Sequence, residues 1–451
     1  MKSDISGFPE FLPNEQIAFN KVVSLIRERF ELYGYVPMET AAVERVSTLL
    51  AKGDDNEIYG IYRLGDKNSD KKSGGELGLR FDLTVPLARY VASNSANMVF
   101  PHRRYQIAPV WRGERPQYGR YRQFYQCDVD IIGNGSLSIE HDAEVISLIT
   151  DVLGSLNIPP FITLINNRKI LSGFLKTTVQ PEKITDVVKI IDKSSKISPE
   201  EFDGSLMELV GAKENVLKIK NFLDTEKRGS NFEILRWFKA LSFNEEFNLG
   251  VSELTTIFQI LKKLGVEENH LKISTELARG LSYYTGTVFE TVFTGNLGES
   301  GSISGGGRYD NLTETLSSKQ FPGVGATIGI SRIVPKLIEK GLLAVDKMTP
   351  ALLLVTVQNR EFVGTYIKIA AKLRKIGVKT EVYLQDKSLK AQLSYADKKG
   401  HGFVLIANEI ELLEGRAILR NLKTKEQYII RTEFMGREVL ELLGIAKKSS
   451  T

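Results

Sequence analysis

Residues 110–133 read VWRGERPQYGRYRQFYQCDVDIIG, and the fold turns on how this stretch pairs with itself. A loop rich in Gly and Pro divides it, which predicts a β-hairpin over 105–131. In the second strand, alternation puts Tyr125, Cys127, Val129 and Ile131 on one face and Phe124, Gln126, Asp128 and Asp130 on the other. The first set is an ordinary core face. The second is one aromatic ring followed by three polar groups, which either meets water or is buried against something that satisfies it.

The arginines weigh on that choice. Arg103, Arg104, Arg112, Arg115, Arg120 and Arg122 crowd into twenty residues whose only acid is Glu114. Guanidiniums so close repel one another unless anions are near, and Arg is the fork-shaped donor suited to phosphates. An aromatic side chain at the start of the next strand suits a stacked base. The hairpin is therefore read as a nucleotide site, with a generic RNA-binding hairpin as the alternative.

Two glycine-rich segments lie further on, Gly305-Gly306-Gly307-Arg308-Tyr309-Asp310 and Gly323-Val324-Gly325-Ala326-Thr327-Ile328-Gly329-Ile330-Ser331-Arg332. Both read as backbone lying against something flat, or else as plain turns and bulges. Arg332 falls in the first turn of a predicted helix, its charge free to reach a ligand.

Other chemistries drop out. There is no G-x-x-x-x-G-K-[ST], so any use of ATP is not of the P-loop kind, and Gly323-Val324-Gly325 lacks the third glycine of a dinucleotide fingerprint. His102, His141, His270 and His401 are scattered, with no H-E-x-x-H. Cys127 stands alone, which excludes a disulfide framework and a zinc site of paired cysteines. No stretch nears the ~20 apolar residues of a membrane span, and the N-terminus resembles no secretory or transit signal. A cytoplasmic location is expected.

At 451 residues the chain exceeds what one core usually organises, so two or three domains are expected. Helical spacing of Ile17, Val22, Leu25, Ile26 and Phe30 predicts an amphipathic helix over 14–33. Leu77–Leu83 reads as a strand and Val85–Ala92 as a helix. From 163 to about 260 the pattern is helical and lysine-rich, as in an inserted domain; 271–291 and 324–330 return to strand.

Beyond a linker at Gly341–Pro350, strands at 351–357, 378–384 and 402–407 alternate with helices at 361–376 and 388–399. Two polar strands and a helix over 432–443 follow. The alternation predicts an α/β domain with a mainly parallel sheet. Net charge is +5, yet 360–399 alone carries ten basic against four acidic residues. That stretch is either a solvated helical face or an RNA-facing surface.

Together these segments resemble the class II aminoacyl-tRNA synthetases, and within them the histidyl-tRNA synthetase family. Pro37 and the helix before it look like the family's first motif, a dimer-interface element. Residues 110–133 are similar to the second motif at nearly every position, and GVGATIGISRI (323–333) to the third. Leu277-Ala278-Arg279-Gly280-Leu281-Ser282-Tyr283-Tyr284-Thr285-Gly286 resembles the histidine-specific signature, with Ser304–Asp310 as its companion. Phe81-Asp82-Leu83-Thr84 departs from the Pro-Glu-Gly-Thr of many bacterial members but keeps the carboxylate and the hydroxyl.

The resemblance implies an α+β fold. A class II catalytic domain with an antiparallel β-sheet flanked by helices would occupy 1–171 and 261–340, with a helical insertion at 172–260 and a C-terminal α/β anticodon-binding domain at 350–451. It implies ATP-dependent activation of L-histidine to histidyl-adenylate and transfer to the 3′ end of tRNA-His, in a homodimer. Arg279 and Arg112 would stand beside the reacting α-phosphate. Asp82, Thr84 and Gln126 would bind the amino group, and Asp130 and Tyr283 the imidazole, with Tyr284 beside them.

Arg120 and Arg332 would hold the outer phosphates, Phe124 would stack on adenine, and Glu114 would contact its edge. Gln117 would meet the tRNA acceptor end, and the basic 360–399 helices the anticodon. Mg2+ would bridge phosphate oxygens with few or no protein ligands. The alternatives are a regulatory paralogue, which lacks the anticodon domain and the 279–284 signature, and a class II synthetase for another amino acid such as proline or threonine, against which that signature argues.

Overall fold

The computed structural model describes residues 5–50, 58–62, 76–117, 119–194, 197–278, 284–295, 301–311, 313–314, 316–433 and 435–444. The chain falls into two compact units, Met1–Pro9 with Val22–Leu342, and Glu10–Lys21 with Leu343–Thr451.

In the first unit the strands are β1 (Val36–Pro37), β2 (Val43–Arg45), β3 (Gly60–Ile61), β4 (Leu77–Leu79), β5 (His102–Trp111) and β6 (Gln123–Ile132). They continue as β7 (Phe161–Asn167), β8 (Leu271–Ile273), β9 (Thr287–Phe293), β10 (Ser302–Tyr309) and β11 (Gly323–Ile328). Among the described residues, one sheet runs β1-β5-β6-β11-β10-β9-β7-β8, and β2, β4 and β3 make a small second sheet. The large sheet is antiparallel from β5 to β7, with parallel pairs at its edges, β1 with β5 and β7 with β8.

The hairpin forms as ten cross-strand pairs, from His102↔Ile132 to Trp111↔Gln123. Cys127, Val129 and Ile131 are fully buried on its core face. The helix Glu140–Ser155 packs on β6, β10 and β11, burying Val145, Ile146, Leu148, Ile149, Val152 and Leu153. Arg308 of β10 reaches this helix, where Asp142 takes its Nη2 at 2.7 Å and its Nε at 3.1 Å. Neighbouring Tyr309 points to the other face of the sheet, so parity splits the Gly-Gly-Gly-Arg-Tyr-Asp segment between structure and cavity.

Two readings of the sequence need correction. Residues 163–167, read as helical, belong instead to β7, which pairs with β9 and β8 and buries Phe161, Thr163 and Ile165 on one face. Helical structure starts at Arg168–Leu175, which packs against the helix Glu245–Lys263. Each crosses the other at a glycine: a β-carbon on Gly173 would lie 2.7 Å from the Phe247 backbone nitrogen, and one on Gly250 2.9 Å from that of Ile170. Phe174, Phe222, Phe238 and Phe247 fill the core around them.

The second correction concerns the C-terminal unit. Its strands are β12 (Leu353–Val355), β13 (Thr380–Val382), β14 (Phe403–Ile406), β15 (Arg416–Asn421) and β16 (Gln427–Arg431), in the order β13-β12-β14-β15-β16. Only β13, β12 and β14 are parallel; β14–β15 and β15–β16 are antiparallel, so the sheet is mixed. The cause is local. Asn421 Oδ1 accepts from the backbone of Lys423 and Thr424, and Lys425 takes φ +66°, closing a tight turn where no helix intervenes. The helices Val363–Lys375 and Leu389–Lys399 bury Tyr366, Ile369, Leu373 and Ala396 and leave Lys368, Lys372, Arg374, Lys375, Lys390 and Lys398 exposed.

Candidate active site

A cavity of about 400 Å³ opens over β6, β10 and β11, lined among others by Asp82, Thr84, Arg112, Glu114, Arg120, Phe124, Gln126, Asp130, Tyr284 and Arg332. Ten residues singled out in the sequence thus meet around one space. Gln117 is exposed on the hairpin loop and is not part of the lining. Arg279 and Tyr283 lie outside the described residues.

One part of the lining is cationic. Arg332 donates through Nε to Gly119 O at 3.0 Å and through Nη1 to Ser302 O, which aims its plane across the hairpin loop. Burial, then the nearby Arg120 and Arg112, hold its guanidinium below the usual value, while Glu290 opposes them. Arg120 is also paired with Glu114 at 3.3 Å, so three guanidiniums converge here on few acids, and an anion would add to their counter-charge. Arg112 donates to Phe81 O at 3.0 Å and lies 5.1 Å from the centroid of the Phe124 ring.

The floor is acidic. Asp82, Asp128 and Asp130 are all buried. Asp82 Oδ1 takes the Val85 amide at 3.0 Å, at the start of the helix Thr84–Asn94. Burial pushes its carboxyl up to about 6, against the pull of that hydrogen bond and of Arg112. Asp128 is pushed up to about 7 by burial, with Arg104 opposing. Asp130 is raised by burial and held back by Arg104 and by the Tyr309 hydroxyl. Buried carboxylates resist ionising and would accept a cation readily.

Asp130 is engaged on both oxygens: Tyr309 Oη donates to Oδ1 at 2.6 Å, and Arg104 Nη2 lies 2.7 Å from Oδ2. Arg104 is fully buried and also donates to Leu83 O at 3.2 Å. The expectation that the hairpin arginines seek outside anions therefore holds for only some of them. Arg104 pairs with Asp130, Arg103 with Glu144 at 2.9 Å, and Arg122 bonds the backbone of Glu114 and Ser6. Arg115 is exposed and outside the lining, which leaves Arg112 and Arg120 facing the cavity.

Several lining residues were not given roles from sequence: Asp128, Tyr309, Thr327, Ser331 and Glu290. Arg104 was counted only as one of six charges. Its signal was available, because the hairpin register sets Arg104 directly opposite Asp130. Tyr125 departs from strict parity, since it borders the cavity while its backbone amide donates to the Ser331 hydroxyl at 2.8 Å.

An antiparallel sheet bearing an arginine cluster and an acidic floor, with no P-loop, is the architecture of a class II aminoacyl-tRNA synthetase. The sequence model of histidyl-tRNA synthetase matches residues 7–333, and that of an anticodon binding domain residues 351–442. A histidine–tRNA ligase of Clostridium tetani is 41% identical over 438 residues, 95% of this chain and 97% of that protein. One from Nostoc punctiforme is 38% identical over 97% of each.

The crystal structure of histidyl-tRNA synthetase from Nostoc sp. PCC 7120 superposes with a TM-score of 0.87 at 36% identity, covering 98% of this chain and 99% of that one. The chain belongs to the histidyl-tRNA synthetase family, and its activity is the ligation of histidine to transfer RNA.

Fold alone would not have separated the alternatives. A Bacillus halodurans structure described as an ATP phosphoribosyltransferase regulatory subunit/histidyl-tRNA synthetase superposes at 0.72 with 22% identity, over 88% of this chain and 96% of that one. The separation comes from the full-length sequence relatives and the anticodon-binding module.

Proposed function

We propose that this cavity binds L-histidine and ATP side by side, joins them as histidyl-adenylate, and passes the histidyl group to the 3′ end of tRNA-His. The observation that carries the reading is the polarity of the lining, three arginines beside three buried carboxylic acids, with Arg112 close enough to act on both Asp82 and Arg332. A triphosphate and an amino acid with a cationic amine have the complementary charges.

In the first step a carboxylate oxygen of histidine attacks the α-phosphorus and pyrophosphate leaves. Little covalent help is needed; the two groups must be held in line and the growing negative charge met. Arg112 takes the α-phosphate side, with Arg279 as its partner at the reacting carboxylate. Arg120 and Arg332 take the outer phosphates. Phe124 stacks on adenine and Glu114 contacts its edge.

Glu114 and Glu290 supply hard oxygen atoms beside the arginines and would be the few protein groups able to help hold Mg2+ with the nucleotide. The ion, when bound, neutralises phosphate charge.

Asp82, Thr84 and Gln126 take the amino group. Asp130, Tyr283 and Tyr284 take the imidazole, and a site that pairs both ring nitrogens rejects apolar analogues because its own polar groups would be left bare. In the second step the terminal 3′-hydroxyl of the tRNA attacks the adenylate carbonyl and AMP leaves. Gln117, exposed on the hairpin loop, meets the acceptor end, and the exposed lysines of 360–399 meet the anticodon.

A homodimer is part of this reading, supported by the exposed Leu32 and Val36 beside the edge strand β1. The reaction belongs to protein synthesis, which fits a cytoplasmic protein.

Pyrophosphate exchange with each proteinogenic amino acid tests the proposal. Exchange driven by histidine alone is expected, and exchange with another amino acid or with none overturns it. Arg279→Ala should lose about a hundredfold or more in adenylation rate while histidine binding remains. Sedimentation of the purified protein tests the dimer.

A further inference from the structure

Gln126 is buried, and its Oε1 has no hydrogen-bond partner among the described residues. Its Nε2, by contrast, is held twice, 3.1 Å from Thr327 Oγ1 and 3.4 Å from Asp128 Oδ1. Thr327 stands directly opposite Asp128 in the β6–β11 pairing, and its hydroxyl bonds the Asp128 carboxyl. All three side chains border the cavity.

The chemistry of this ring of groups has one consistent direction. Once Asp128 is ionised, as above the value of about 7 to which burial pushes it, its carboxylate only accepts, so the Thr327 hydroxyl donates to it. Its lone pair is then left for a donor, which is the Gln126 amide N–H. With the nitrogen so taken, the oxygen of Gln126 is the end that faces the ligand. Reversed, the amide would set its oxygen against a carboxylate and offer N–H groups to a cation.

We propose that Asp128 and Thr327 are positioning residues that orient the Gln126 amide, so that Oε1 is presented as an acceptor for the α-ammonium of histidine. This rests on the reading of Gln126 as an ammonium ligand. It extends that reading to two residues that act through Gln126. A buried acceptor left unmet in the empty site costs free energy that a bound ammonium recovers.

The test compares two ligands that differ only in the amine: L-histidine and 3-(imidazol-4-yl)propanoate, which keeps the ring and carboxylate. Binding is measured by calorimetry at pH 8, above the value of about 7 to which burial pushes Asp128. Asp128→Leu and Thr327→Val are expected to weaken L-histidine about tenfold or more, the scale of one hydrogen bond to a charged group, and the analogue much less. Asp128→Asn keeps an acceptor oxygen for Thr327 and should restore most of the affinity.

Equal weakening of both ligands would mean a general collapse of the floor and would overturn the proposal. So would unchanged histidine binding in both variants. Thr327→Val is close to isosteric, so it keeps the test decisive should Asp128→Leu fail to fold. Gln126→Ala separates the two layers. If it leaves histidine binding unchanged, the ammonium reading itself fails. If it weakens histidine while Asp128→Leu and Thr327→Val do not, only the positioning role fails.

Discussion

Asp130 occupies the space a side chain on Gly325 would need: a β-carbon built there would lie 2.0 Å from Asp130 Oδ1. The two residues are cross-strand partners on β6 and β11. The glycine of the third motif-like segment is thus a consequence of the acid in the second. Gly325→Ala should displace the Asp130 carboxylate and also press on Val129 O, 2.8 Å from the added atom. We expect at least a tenfold rise in histidine KM in pyrophosphate exchange, and a loss of about 1–3 kcal/mol in denaturant stability from overpacking. Unchanged histidine KM would show that the carboxylate can move without consequence.

Arg104 makes stability and function at Asp130 separable. Removing the carboxylate leaves a fully buried guanidinium without its ion-pair partner, which costs about 3–5 kcal/mol. Asp130→Ala should therefore be strongly destabilised, and Asp130→Ala with Arg104→Met should recover much of the loss. The double variant should still fail to activate histidine. Urea denaturation and pyrophosphate exchange on the same preparations distinguish the two effects. Recovery of both stability and activity would make Asp130 a purely structural residue.

These two residues also show what was legible in the sequence. Strand parity in 122–131 was enough to separate Cys127, Val129 and Ile131, all fully buried, from Phe124, Gln126, Asp128 and Asp130, which border the cavity; Tyr125, which also borders it, is the exception. Charge counting was not enough for the arginines. Which of them face a ligand depends on cross-strand partners such as Arg104↔Asp130, and on Glu144, brought in by a helix beyond the hairpin.

β7 was missed for a related reason: its apolar residues Phe161, Ile162, Leu164 and Ile165 are too few to show a periodicity that distinguishes a buried strand from a helix. The reversal from β15 to β16 was hidden in a turn, where Asn421 and the positive φ of Lys425 decide the pairing.

The acidic floor predicts an unusual pH dependence of the ligand-free protein. Asp82 and Asp128 have carboxyls raised to about 6 and about 7, from an ordinary 3.8. Between pH 4 and 7 the folded protein binds more protons at these sites than the unfolded chain does. Their contribution to stability therefore falls as pH rises through that window, by a few kcal/mol in all. Asp82→Asn and Asp128→Asn should be more stable than the parent at pH 8 and nearly equal to it at pH 4.5. Denaturation midpoints without ligand at the two pH values check this; variants that lose stability at pH 8 would contradict the sign.

Phe124 carries the last prediction. The Arg112 guanidinium already lies 5.1 Å from its ring centroid, so a base stacking on Phe124 must use the opposite face and completes a sandwich with the cation. Base–aromatic stacking contributes about 1–3 kcal/mol by truncation, and Phe124→Leu removes it while keeping an apolar side chain at the head of β6. We expect the KM for ATP to rise about tenfold and the KM for histidine to stay near its parent value, since the amine is assigned to Asp82, Thr84 and Gln126 and not to the ring. Because Arg112 loses its ring as well, some fall in kcat should accompany the change. A rise in histidine KM with no change for ATP would assign the ring to the amino acid instead of the nucleotide.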